Sequence, residues 1–130
     1  MKTDIQSTQD IVMLVDTFYK KVNADALLAP VFNEEAGVNW PEHLPKMYQF
    51  WGTQLLGTQD YKGQPFPPHM KLHITPQHFQ QWLILFTETV HQLFEGAIAD
   101  LAIYKAKNIA VVFQYKLGLK DTMKQPPNKS

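Results

Sequence analysis

The chain has 130 residues, which is enough for one domain with a buried core, and a single domain over residues 1–130 is predicted. All twelve basic residues are lysines, and they balance twelve acidic residues. The resulting net charge of zero argues against a nucleic-acid partner. The absence of cysteine excludes disulfides and thiolate metal sites, and the presence of only two serines, Ser7 and Ser130, argues against a serine hydrolase.

The first predicted helix begins after a cap formed by Ser7 and Asp10. The residues before it, about 1–7, are expected to form a loose terminus. A short apolar piece at 26–32 and a loop at 37–41 follow the helix. The apolar residues of this helix recur at helical spacing: Ile11, Val15, Phe18, Tyr19 and Val22.

The second predicted helix covers residues 42–56 and ends at Gly57. Pro45 is expected in the first turn of this helix, where a missing N–H group costs no hydrogen bond. Residues 57–68 contain two glycines and three prolines, which predict a long loop.

Two further helices are predicted in the C-terminal half. Thr75 and Pro76 are suited to the cap and first position of a helix that runs to about Phe94. Gly96 separates it from a last helix at about 97–117, and residues 119–130 are expected to be loose. Alternating patterns typical of strands are scarce, so the fold is predicted to be all-α. The expected inward residues are Phe79, Leu83, Phe86, Val90 and Phe94, then Ile98, Leu101, Ala102, Ile109 and Phe113.

Three of the five histidines lie in the segment HMKLHITPQHF, residues 69–79. His69 and His73 are four residues apart and could chelate zinc from one face of a helix, although the segment contains no carboxylate to complete such a site. A single neutral imidazole could instead bind a haem iron, and the aromatic residues of the chain would then pack against a flat apolar group. A solvated surface segment is the third interpretation.

The histidine segment belongs to a longer pattern that resembles a known family. The pieces FY (18–19), HLPKMYQFW (43–51) and GQPFPPHMKLHITPQHFQQWLILF (63–86) resemble the truncated haemoglobins, most closely their third group. The resemblance extends from about residue 8 to residue 117. It implies a two-over-two helical sandwich around haem b.

The resemblance also implies roles for individual residues. His69 stands thirteen residues before Trp82 and matches the iron ligand, while His73 is a rival ligand one helical turn away. Tyr19, His43 and Trp82 match residues that face a ligand on the opposite side of the haem. No residue is assigned as catalytic. The further residues expected to contact the cofactor are Phe18, Met47, Trp51, Lys71, His73 and Phe79.

The expected function is binding of dioxygen, or another diatomic ligand, at a five-coordinate ferrous haem. Oxidation of nitric oxide or peroxidase-like chemistry could follow, with an unidentified reductase as partner. A haem-free helical scaffold and a metal-binding bundle are the alternatives. The stretch MKTDIQSTQD lacks the apolar segment of a signal peptide and no apolar run is long enough to span a membrane. A cytoplasmic monomer without a membrane partner is therefore expected.

Overall fold

The computed structural model describes residues 2–35, 37–58 and 74–118, and within these ranges all regular structure is helical. None of the helices described is long and apolar enough to cross a membrane. In chain order the elements are α1 (Thr8–Ala24), a short π-helix (Val31–Glu35), α2 (Trp40–Leu56), α3 (Pro76–Leu93) and α4 (Ala97–Lys116).

The helices form two pairs, as the predicted two-over-two sandwich requires. In one pair α1 packs on α2, and in the other α3 packs on α4. The pairs meet where α1 crosses α3 and α2 crosses α4. Phe86 of α3 is fully buried at this meeting, with its ring 5.2 Å from Phe18 of α1 and 4.8 Å from Trp51 of α2.

The start of α2 differs from the prediction. The helix begins at Trp40 rather than at residue 42, because the carbonyl of Asn39 accepts hydrogen bonds from both Glu42 and His43. Pro41 therefore occupies the first turn, and Pro45 lies inside the helix. The position predicted for Pro45 was wrong because a second proline, Pro41, fills the place where a missing N–H group costs least.

The cap of α3 gives one of the clustered histidines a structural role. Pro76 is the first residue of the helix, as predicted. The Nδ1 atom of His78 accepts a hydrogen bond from the backbone N–H of Thr75 at 2.9 Å and lies 2.8 Å from the Thr75 hydroxyl oxygen. His78 thus satisfies a donor at the start of the helix. His69 and His73 lie outside the described residues.

The buried face of α4 is built from small side chains. Within the described core, Ala99, Ala102, Ala106 and Ala110 are at most 2% exposed. Ile98, Leu101 and Ile109, which were expected to face inward, are only half-buried. The prediction placed the larger hydrophobic residues inward. Neighbouring helices that approach closely instead favour small residues at the centre of their contact.

The N-terminal segment is docked rather than loose over the part described. Ile5 is 2% exposed, and the carbonyl of Thr3 accepts a hydrogen bond from the N–H of Glu95. The Asp4 carboxylate accepts from the N–H groups of Ile98 and Ala99 at 2.9 and 2.8 Å. This supplies the cap that Gly96, which has no side chain, cannot provide. Residues 119–130 lie outside the described part of the chain.

Candidate ligand-binding site

Tyr19 lies near the end of α1 with its side chain enclosed by aromatic rings. It is 6% exposed, and its ring centroid is 4.9 Å from that of Phe18 and 5.8 Å from that of Phe32. Burial raises the pKa of Tyr19 above its ordinary value, so its hydroxyl keeps its proton. This side chain is therefore a neutral hydrogen-bond donor inside an apolar region.

His43 reaches the same place from the second helix. Its ring is 5.8 Å from the Tyr19 ring, at an angle of 82°. The residue is half-buried, in contrast to the enclosed Tyr19, although its Nε2 atom is buried. The structure thus brings together two residues that are 24 positions apart in the sequence, and both belong to the predicted ligand-facing set.

Trp82 approaches the cluster from α3. Its ring is 5.8 Å from Phe18 in an edge-to-face arrangement and 5.8 Å from Phe86 in a stacked one. Trp82 is half-buried and packs against both of the hydrophobic clusters found among the described residues. The predicted ligand-facing residues Tyr19 and Trp82 are consequently separated by a single ring, that of Phe18.

The residues expected to contact a cofactor have different surroundings. Trp51 is 2% exposed and stacks on Phe86, while Met47 is half-buried against the same cluster. Phe79 belongs to the second cluster, with Ala110 and Phe113, and is joined to the first through Trp82. Three predicted contacts, His69, Lys71 and His73, lie outside the described residues. The structure therefore describes one side of the candidate site.

The chemistry of this side suits a flat apolar group that carries a small ligand. The donors are a tyrosine hydroxyl, an imidazole and an indole, all neutral in their ordinary forms and set among aromatic rings. Hydrogen bonds are stronger in such an environment than in water. No group of three or more potential metal ligands occurs among the described residues, although the zinc hypothesis concerns His69 and His73, which are not among them.

Trp40 is a residue of the site that the sequence did not reveal. Its ring lies 5.3 Å from Tyr19 and 5.6 Å from His43. A helix start at residue 42 placed Trp40 in a loop. With the correct start, the three-residue spacing from Trp40 to His43 puts both on one helical face, and this spacing was the available signal.

A hydrogen bond between α1 and α2 was also missed. The Tyr48 hydroxyl donates to Asp16 at 2.5 Å. Burial, together with the hydrogen bond and the negative charge of Asp16, raises the pKa of Tyr48 to about 12. Asp16 precedes Tyr19 by three residues, and Tyr48 follows Met47 directly. The bond therefore joins the two helices close to the candidate site.

Comparisons with known proteins agree on a class. Residues 3–111 match the family model for bacterial-like globins. Because this match covers most of the chain, the protein belongs to the bacterial-like globin family. It is thus a haem-binding globin with the predicted all-α truncated globin fold, and neither a haem-free scaffold nor a metal-binding bundle is favoured.

Similar proteins and structures include truncated haemoglobins of the third group. The chain is 37% identical, over 125 residues, to a group 3 truncated haemoglobin of Campylobacter jejuni, covering 91% of this chain and 98% of that protein. The crystal structure of the group III truncated haemoglobin from C. jejuni matches with a TM-score of 0.81 and 35% identity, covering 90% of this chain and 95% of that one. The predicted resemblance to the third group is confirmed.

Proposed function

We propose that this globin retains dioxygen, or another diatomic gas, in the pocket bordered by Tyr19, His43 and Trp82. The observation that carries the proposal is the hydroxyl of Tyr19, a neutral hydrogen-bond donor on a side chain that is 6% exposed and enclosed by aromatic rings. A donor of this kind stabilises a ligand that gains partial negative charge on binding. Trp82 offers an indole N–H one ring away from Tyr19.

The proposed cofactor is haem b, held without covalent attachment because the chain has no cysteine for a thioether bond. When bound, a haem supplies an iron that takes one ligand from the protein and one gas molecule. His69 is proposed as the protein ligand, with His73 as the rival. Phe18, Met47, Trp51 and Phe79 would provide apolar contacts, and Lys71 would meet a propionate.

His43 is proposed to control access to the pocket. It is half-buried whereas Tyr19 is enclosed, so its side chain can exchange between the pocket and solvent more readily. Tyr19 and Trp82 would then determine how long a ligand stays, and His43 how fast it arrives. A pocket that retains dioxygen favours chemistry on the retained gas, such as oxidation of nitric oxide, over simple carriage. Continuous turnover would require a reductase as a partner.

The absorption spectrum of the purified protein tests the cofactor. We expect a Soret band from haem that acidified butanone extracts completely. His69→Ala should lose haem or regain it with added imidazole, while His73→Ala should keep a near-normal spectrum. His78→Ala is the matched control, because His78 caps α3 and should affect stability rather than the spectrum.

Three outcomes would contradict the proposal in different ways. Absence of haem from the wild-type protein would refute it as a whole. Chromophore that resists extraction would refute non-covalent binding. Loss of haem in His73→Ala alone would move the iron ligand by one helical turn. The cytoplasmic location and the monomeric state stay predictions from the sequence.

A further inference from the structure

Three aromatic rings meet in mutual contact at the edge of the candidate site. We name Tyr19, Trp40 and His43 the rim triad. Its centroid distances are 5.3 Å for Tyr19–Trp40, 5.6 Å for Trp40–His43 and 5.8 Å for Tyr19–His43. The His43 ring meets the other two edge-on, at 82° and 83°, so it is confined by both rings.

A chain of hydrogen bonds fixes the indole of Trp40. Its Nε1–H donates to Asn33 Oδ1 at 2.9 Å, and Asn33 Nδ2 donates to Asn23 Oδ1 at 2.8 Å. Asn23 Nδ2 then donates to the backbone carbonyl of Tyr19 at 3.1 Å. The chain joins the first residue of α2, the π-helix and the last turns of α1, and it ends on the residue that Trp40 contacts.

Packing around Phe32 also helps to hold the ring of Trp40 in place. The Phe32 ring stacks on Trp40 at 5.9 Å and 24°, and meets Tyr19 at 5.8 Å. The backbone carbonyl of Phe32 accepts from the N–H of Val38 at 3.0 Å, which closes the connection into α2. Trp40 is therefore held by stacking on Phe32 and by a hydrogen bond to Asn33, in addition to its contact with His43.

We propose that Trp40, anchored by Asn33, is a positioning residue that holds His43 against Tyr19 and thereby slows ligand access to the pocket. For His43 to turn toward solvent, its imidazole must leave its contacts with both other rings. The contact with Trp40 adds to the free energy of that opening, so its removal should increase the open fraction. The inference rests on the proposed gas-binding function.

The direct test is the rate of carbon monoxide association after flash photolysis. An aromatic contact or neutral hydrogen bond of ordinary strength corresponds to roughly two- to tenfold in such an equilibrium. We expect Trp40→Leu to accelerate association by about this factor, and Asn33→Ala by about twofold. Asn108→Ala, at an exposed position of α4, is the matched control and should leave the rate unchanged.

A double-mutant cycle separates positioning from general destabilisation. If Trp40 acts through His43, then Trp40→Leu should have no further effect on association in a His43→Leu background. An equal acceleration in both backgrounds would overturn the inference. Asn33→Ala keeps the test valid if Trp40→Leu fails to fold, since Asn33 is exposed and its replacement leaves all three rings in place.

A spectroscopic measurement addresses the anchor independently of ligand kinetics. The chain has three tryptophans, so the carbon monoxide form should show three indole N–H signals by nitrogen-15 NMR. The signal that disappears in Trp40→Phe is that of Trp40, and its solvent exchange should accelerate at least twofold in Asn33→Ala but not in Asn108→Ala.

The outcomes distinguish this inference from the function on which it rests. A wild-type protein without a Soret band would refute both. A normal Soret band, with association and indole exchange in Asn33→Ala equal to wild type, would refute only the role of Trp40 and its anchor.

Discussion

The two helix pairs of this globin place their polar side chains differently. Between α1 and α2, a side-chain hydrogen bond crosses the interface, from Tyr48 to Asp16. In the α3–α4 pair, the buried polar residues are Thr89 and Gln114, and each bonds a carbonyl one turn earlier in its own helix. Among the described residues, a side-chain hydrogen bond thus joins the helices of the first pair, whereas the two buried polar side chains of the second pair bond within their own helices.

This difference is consistent with the roles proposed for residues of α1 and α2. Tyr19 and His43 belong to α1 and α2 and are proposed to act on one ligand, which requires a set distance between their rings. A hydrogen bond between helices fixes orientation as well as distance. The alanine face of α4 fixes only how closely helices approach, which is sufficient for a helix that carries none of the proposed ligand-facing residues.

The largest effect on stability is expected from substitution of Phe86, which contacts both helix pairs. Its fully buried ring meets Phe18 and Trp51 of the first pair and stacks on Trp82 of its own helix. Phe86→Ala should lower the free energy of unfolding by about 3–5 kcal/mol, through lost burial and a cavity. Urea unfolding of the apoprotein measures this. Ile84→Ala, at a position 55% exposed in the same helix, should cost far less. Equal losses in the two variants would show that the pairs do not depend on this contact.

The next largest effect is expected on the rate at which dioxygen dissociates from the proposed site. Tyr19→Phe removes a buried donor and keeps the ring. A hydrogen bond to a charged acceptor contributes about 1.5–3 kcal/mol, so dioxygen should dissociate roughly tenfold to more than a hundredfold faster. Trp82→Phe should act in the same direction, and the two effects should not simply add. Carbon monoxide, which gains less charge, should respond less. Stopped-flow rates of dioxygen dissociation within twofold of wild type in both variants would rule out the proposal that Tyr19 and Trp82 retain the ligand.

The sequence was a good guide to this scaffold wherever a cap or a stop residue marks a helix. Ser7 accepts a hydrogen bond from the N–H of Asp10, and Gly57 adopts the left-handed conformation with φ of 74°. These are local signals, because the residue type alone satisfies the backbone there. The all-α fold followed from such boundaries and from the spacing of apolar residues between them.

The features of the fold and of the site that depend on contacts between distant segments could not be predicted in the same way. Tyr48 and Asp16 are 32 residues apart, and neither has a neighbour in sequence that indicates the other. Asp4 caps a helix that begins more than ninety residues later. Trp40 was missed because Pro45 was assigned to the first turn, and this assignment moved the helix start past Trp40.

A smaller effect is expected at Asp4, which stabilises the second pair. Asp4→Ala leaves the α4 N-terminus without its cap and should cost about 1–2 kcal/mol. Dioxygen release should not change, because Asp4 caps α4, which carries none of the proposed ligand-facing residues. A changed release rate at unaltered haem content would contradict the assignment of α4 as a scaffold helix.

The contribution of Asp4 should also depend on pH. Burial acts to raise the pKa of Asp4, but the N–H groups of Ile98, Ala99 and Ile5 outweigh it and lower the pKa below its ordinary value of 3.8. The stabilisation is therefore fully present above pH 3.8 and is lost as the pH falls through the lowered pKa. Chemical unfolding of wild type and Asp4→Asn across this range should show the two stabilities converging in acid.

The smallest expected effect is at Tyr48, whose hydroxyl joins α1 to α2. Tyr48→Phe removes one hydrogen bond to a partly exposed carboxylate and should cost about 0.5–1.5 kcal/mol. Tyr115→Phe, at a position 82% exposed on α4, is the matched control and should cost nothing measurable. Because the lost bond is close to the site, Tyr48→Phe should also alter ligand association, in contrast to Asp4→Ala.

The pH dependence of Tyr48 has the opposite sign to that of Asp4. Its pKa in the folded protein is raised to about 12 from an ordinary value of 10.0. The stabilisation is therefore fully present below pH 10 and is lost as the pH rises through about 12, where the phenolate would face the Asp16 carboxylate. The difference in unfolding free energy between wild type and Tyr48→Phe should shrink over this interval, while that between wild type and Tyr115→Phe stays flat. A constant difference for Tyr48→Phe would show that the hydroxyl does not depend on Asp16, and this hydrogen bond would then not hold α1 against α2.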